Sequence, residues 1–216
     1  MFKKMKEPVS ALTHLLFAVL AIPCTVLLLY FAGQYATVWH VVSFAVFGAA
    51  LLLLYTASAV YHMLPLSEKA STVLKKIDHM MIFILIAGSY TPVCLVPLRG
   101  LWGWTLMILV WGMAIGGIVL KALWIDAPRW LGTSIYVLMG WSVVIAFYPL
   151  VQRVPMGGVW LLALGGVIYT LGAVIYALKW PKISLPQFGF HELFHLFVMG
   201  GTALHVLFMF RYVMFA

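Results

Sequence analysis

Two histidines four residues apart, His191 and His195, stand at the head of an apolar run. On a helix, residues at i and i+4 share one face about a turn apart, a spacing that suits two imidazoles on one metal ion. Ser58 and His62 repeat the interval at the end of an earlier apolar run, and Asp78 opens the next. Three imidazoles form the protein part of a catalytic zinc site whose fourth position is left for water. A neighbouring carboxylate can accept a hydrogen bond from that water and act as general base, while zinc lowers the water's pKa towards neutrality. The expected metal ligands are therefore His62, His191 and His195, with Asp78 as the catalytic base and Zn2+ as the cofactor. Iron, cobalt or nickel would accept similar ligands, but a tetrahedral imidazole-rich site favours zinc.

The segment from His191 to His195 also spells HExxH, in which a glutamate between two zinc-binding histidines activates water for peptide hydrolysis. Only 21 residues follow His195, almost all apolar, and none supplies the usual third ligand. Glu192 is instead expected to face the interface or a neighbouring polar group. His14 and His79 fall at the same end as the proposed site and are expected near it, or at the interface, rather than on the metal. His40 falls at the opposite end. His205 lies fourteen residues after His191, roughly 21 Å along a helix at about 1.5 Å per residue, too far to share that metal.

These groups sit in a chain that water alone could not dissolve. Of 216 residues 65% are hydrophobic and 8% charged, against about 45–50% and 25% in an ordinary soluble domain. Lipid is the solvent for most of the surface. The net charge of +8 comes from Lys and Arg in the short breaks between apolar runs, which fits membrane topology and gives no reason to invoke nucleic acid. Cys24 and Cys94 lie within apolar runs and are read as packed small side chains.

Seven runs are long enough to cross about 30 Å of hydrocarbon: Ala11 to Phe31, Trp39 to Leu64, Ile77 to Val96, Gly103 to Leu123, Leu131 to Leu150, Val159 to Leu178 and His191 to Met214. Gly33, Pro65, Pro97, Pro128, Pro155 and Pro181 punctuate the breaks. The fold expected is an all-α integral membrane protein, a single seven-transmembrane helix bundle over residues 1–216, its first helix retained rather than cleaved. Alternate breaks divide Lys and Arg ten to three. Lys3, Lys4, Lys6, Lys69, Lys75, Lys76, Lys121, Arg129, Lys179 and Lys182 share one side; Arg99, Arg153 and Arg211 share the other. The positive-inside rule then puts the N-terminus in the cytoplasm and the C-terminus outside. Tryptophans such as Trp39, Trp102, Trp124, Trp130, Trp160 and Trp180 fall near the proposed ends as interfacial anchors. Glycine pairs at 116–117, 165–166 and 200–201 let helices approach closely. Topology assigned from Lys and Arg alone thus gathers three histidines and a carboxylate at one membrane face, where an ionisable group needs a partner or a function.

Three segments carry a family resemblance: SAVYH from Ser58 to His62, KKIDHMMIFILIAGSYTP from Lys75 to Pro92, and HELFHLFVMGGTALH from His191 to His205. Together they closely resemble the bacterial hemolysin III family, within the progestin and adipoQ receptor superfamily that includes the adiponectin receptors. The resemblance spans nearly the whole chain. It implies a seven-helix bundle in the bacterial cytoplasmic (inner) membrane, with a cytoplasmic-side zinc held by His62, His191 and His195 and with Asp78 contacting the zinc-bound water. It also implies a catalytic role for Ser58, which would orient a ligand or a substrate carbonyl. In the adiponectin receptors and the related alkaline ceramidases this arrangement is associated with hydrolysis of a ceramide amide. The first-helix signature of bacterial relatives, E-x-x-N-x-x-S-H followed by glycine, is altered: Glu7, Ser10, Thr13 and His14 occupy it and Leu15 follows.

The function these observations imply is zinc-dependent hydrolysis of a lipid amide or ester, serving membrane homeostasis, with the bilayer and a lipid-like substrate as partners and no protein hormone. The alternatives are a cytolytic pore, against which stands the lack of a regular polar stripe for a lumen, and a membrane-state sensor with structural zinc.

Overall fold

The computed structural model describes residues 5–183 and 185–216, and regular structure among them is helical apart from a single β-bridge between Leu185 and Phe188. Seven helical units are long and apolar enough to cross a membrane. They are α1 (Pro8–Tyr35), α2 (Val38–Met63), α3 (Glu68–Leu95), α4 (Leu101–Leu123), a composite fifth span, α7 (Met156–Leu178), and α8 (Phe190–Phe208) with a π-helical turn at Met209–Val213. The fifth span consists of α5 (Arg129–Trp141), a 3₁₀ segment Ser142–Ala146, and α6 (Phe147–Arg153). Successive helices from α1 to α4 pack side by side, α7 pairs with α8, and α8 returns to α1. The chain is therefore a multi-pass, all-helical membrane protein.

The core is built at close approaches that small residues permit. A β-carbon at Gly117 would fall 2.2 Å from the Phe83 ring, and one at Gly201 would fall 2.7 Å from Tyr169. Their neighbours behave differently: a β-carbon at Gly116 would meet open space, so one glycine of that pair serves the packing. Cys94 is buried and Cys24 half-buried, both unpaired. Trp102, Trp124, Trp130, Trp160 and Trp180 are exposed near helix ends, where an amphipathic ring suits the membrane interface.

Three boundaries differ from the sequence expectation. Helix α1 continues through Gly33 to Tyr35. Helix α3 begins at Glu68, nine residues before Ile77, because hydropathy marks the apolar slab, whereas Glu, Lys and Ala in this stretch are good helix formers in water as well. Asp78 consequently stands about 15 Å inside the helix, at about 1.5 Å per residue, rather than at its start. The fifth span is not one continuous α-helix. The ring of Pro149 excludes a helical bond to residue 145 and crowds its carbonyl. About two turns earlier, the Tyr90 hydroxyl enters the ladder, donating to the Gly140 carbonyl at 2.6 Å and accepting from the Val143 N–H at 2.9 Å. A side chain inserted this way is a recognised cause of helix breaks. Lys3 and Lys4, counted in the orientation argument, lie outside the described residues.

Candidate metal centre

Four helix ends build the site. The start of α8 supplies His191 and His195, the last turn of α2 supplies His62 with Ser58 one turn earlier, and the third turn of α3 supplies Asp78. The start of α1 closes over them. His62, His191 and His195 each offer a ring nitrogen, and these three atoms lie within 4.8 Å of one another, so the group could hold a metal ion. The Nε2 atoms of His62 and His191 are 3.4 Å apart. His195 is buried, and its Nδ1 has no hydrogen-bond partner. Each ring offers the cluster one neutral imidazole nitrogen, the donor that borderline divalent ions favour. The three imidazoles therefore fit the zinc expected from the sequence as well as they fit any borderline divalent ion.

Asp78 and Ser58 are buried beside one another, the hydroxyl placed to hydrogen-bond the carboxylate. Both line a cavity of about 420 Å³ that also receives His191 and His195. Its walls continue through Leu85, Ile86 and Val198 towards His205. The structure thus brings all five sequence-predicted site residues to one end of the bundle.

The surrounding groups were only partly legible in the sequence. Glu7, just ahead of α1, hydrogen-bonds Nδ1 of His62 through its carboxylate, and its backbone N–H donates to the His62 carbonyl at 3.0 Å. The bond from His62 holds the Glu7 carboxyl below its usual pKa range, against the opposing pull of half-burial. A carboxylate on the far nitrogen of a ligating imidazole fixes its tautomer and ring orientation. Ser10 donates to Glu192 at 2.7 Å, and the other oxygen of Glu192 accepts from the Gly189 N–H at 2.8 Å. Glu192 therefore caps α8 and ties it to α1, which accounts for the glutamate of HExxH without water activation. The signal for this group was the first-helix signature, in which Glu7 is the matched glutamate and Ser10 stands in place of the asparagine.

The remaining histidines separate cleanly. The His14 ring stacks on His195 with centroids 3.7 Å apart and meets Tyr55 edge-on. His79 lines the cavity. His40 sits at the other end of α2, where Nδ1 accepts from the Thr37 N–H and Nε2 donates to the Val213 carbonyl at 3.1 Å. His205 reaches the Leu162 carbonyl at 3.4 Å and takes no part in the cluster.

The chain is similar to known proteins along nearly its whole length. A family model described as "Haemolysin-III related" matches residues 2–206. A hemolysin-3 homolog of Bacillus subtilis (strain 168) is 41% identical over 203 residues, covering 94% of this chain and 92% of its own. Hemolysin-3 of Bacillus cereus is 38% identical over 201 residues, covering 92% and 88%. The human monocyte to macrophage differentiation factor is 28% identical over 186 residues, covering 81% and 72%. With the family model and two such relatives spanning nearly its whole length, the chain belongs to the haemolysin III family.

Proposed function

We propose that the protein is a zinc-dependent hydrolase of a lipid amide or ester, acting within the bilayer. The observation that carries this reading is the position of the three-imidazole group: two of its rings, His191 and His195, border with Asp78 and Ser58 a largely apolar cavity of about 420 Å³. His62, His191 and His195 would hold the metal, which when bound supplies Lewis acidity and lowers the pKa of a water molecule. Glu7 fixes the His62 ring, and Ser58 stands with the Asp78 carboxylate in the cavity wall. Asp78 takes a proton from the attacking water as its oxygen bonds to the carbonyl carbon. It returns that proton to the leaving amine or alcohol as the C–N or C–O bond breaks. Burial of the site favours this transfer by excluding competing water.

The positive-inside count supports placing this end of the bundle at the cytoplasmic face of a bacterial inner membrane. The word hemolysin in the relatives' names points to a lytic activity. The apolar walls of the cavity support an acyl chain there in preference to an aqueous lumen.

The test is metal analysis and lipid-amide turnover of the detergent-purified protein. About one zinc per chain, with hydrolysis lost in Asp78→Asn while zinc is retained, is the expected result. Turnover undiminished in Asp78→Asn would sink the mechanism, and histidine variants that lose folding as well as metal would make the zinc structural.

A further inference from the structure

The same cavity has a second chemical character. Lys75 of α3, Lys121 of α4 and Arg129 of α5 line it, alongside two acids, Asp126 and, at the imidazole group, Asp78. Lys121 is the informative one. It is only 5% exposed, and among the described residues its ammonium has no hydrogen-bond acceptor and no carboxylate partner. A lysine near the end of a membrane helix ordinarily snorkels outward and keeps its charge in water. Here the side chain turns inward against α5. Gly132 makes room for it, since a β-carbon there would lie 3.1 Å from Nζ. Lys76, by contrast, spends its ammonium on the Ala122 carbonyl at 2.8 Å, and the Arg129 guanidinium lies over the Tyr176 and Phe190 rings. A lysine ammonium with neither carboxylate nor hydrogen-bond acceptor, opening on a cavity that also has apolar walls, is complementary to a molecule with an anion at one end and hydrocarbon at the other.

We infer that the cavity binds an anion-headed amphiphile, its phosphate or carboxylate held by Lys121, Lys75 and Arg129 and its acyl chain lying along Leu85, Ile86 and Val198. As a statement about substrate class this rests on the hydrolase reading, and it narrows that reading to acidic lipids. As a statement about binding it stands on the cavity alone.

The experiment is thermal unfolding of the chelator-treated full chain in an uncharged detergent, with four added probes: lysophosphatidylglycerol, lysophosphatidylcholine, oleate and oleyl alcohol. The acidic probes are expected to raise the unfolding temperature while their uncharged or zwitterionic counterparts do not. Lys121→Gln should weaken the acidic probe's binding about tenfold, the loss of one charge-assisted hydrogen bond. A shift with lysophosphatidylglycerol alone identifies a phosphate head, and one with oleate alone a carboxylate. Ile86→Trp, which fills the apolar slot, should abolish the response whatever the head. Should Lys121→Gln fail to fold, Lys75→Gln and the exposed Arg129→Gln carry the same comparison. Equal shifts from charged and uncharged probes, or a wild-type response in the cation variants, overturn the proposal. Because no metal or turnover is involved, that failure would leave the hydrolase reading standing, whereas selective binding without any turnover would sink only the hydrolase.

Discussion

The two ends of the bundle use the same polar residues in opposite ways. At the end remote from the metal centre, His40 joins Thr37 to the Val213 carbonyl, and the Arg153 guanidinium donates to the Pro97 and Arg99 carbonyls. Each polar group there meets backbone that a helix end has left free, so histidine and arginine act as stitching. At the other end the histidines face one another. The four buried side-chain polar atoms without a partner among the described residues belong to His14, His79 and His195, all at this end. An apolar interior penalises such atoms, and one end of the molecule concentrates them while the other has none. The difference separates polar residues bonded to the fold's own backbone from polar residues gathered at the candidate site.

Replacing histidines at each end should break or uphold that contrast most sharply. His62→Ala and His191→Ala are expected to lose nearly all bound zinc from a starting value of about one per chain, three ligands being the minimum such sites use, while His40→Ala keeps it; elemental analysis of gel-filtered protein decides. Equal loss in His40→Ala would mean that the metal follows folding and that the two ends do not differ. Next in size, Asp78→Asn should keep zinc and lower hydrolysis by about 10²–10⁴-fold, the usual contribution of a positioned general base, as measured by release of fatty acid from a lipid amide. Glu7→Gln tests the outer layer of the same end. Competition with a chelator should show zinc held about 10–100-fold more weakly, because the His62 ring loses its orienting carboxylate. The smallest effect belongs to the remote end, where His40→Ala should cost about 1 kcal/mol of stability, the scale of a lost helix cap, read by thermal unfolding.

The contrast also explains what the sequence could reveal. Spacing and helix count were enough to gather His62, His191, His195 and Asp78, because the i, i+4 rule and the alternation of spans are local properties. The expected orientation rests on thirteen basic residues, again a local count. What was not legible depends on contacts far apart in the chain. Glu7 reaches His62 across 55 residues, and Ser10 reaches Glu192 across 182; no period or motif spacing encodes such pairs. Helix boundaries failed for a different reason. Hydropathy measures the thickness of lipid, so it stopped α3 at Ile77 although Glu68 to Lys76 remain helical outside the apolar slab. It also passed over the break in the fifth span, since Pro149 and the inserted Tyr90 hydroxyl leave mean apolarity unchanged.

That insertion has a genetic consequence. Tyr90 bonds the Gly140 carbonyl at the end of α5 and the Val143 N–H at the start of the 3₁₀ segment, so loss of its hydroxyl removes a partner from each in a medium without water. In the native background Tyr90→Phe should be poorly tolerated. If Pro149→Ala restores a continuous helix, Gly140 and Val143 regain backbone partners, and the demand for a hydroxyl at position 90 disappears. The two positions, 59 residues apart in sequence, would then be epistatic: a proline on one helix keeps a tyrosine in place on another.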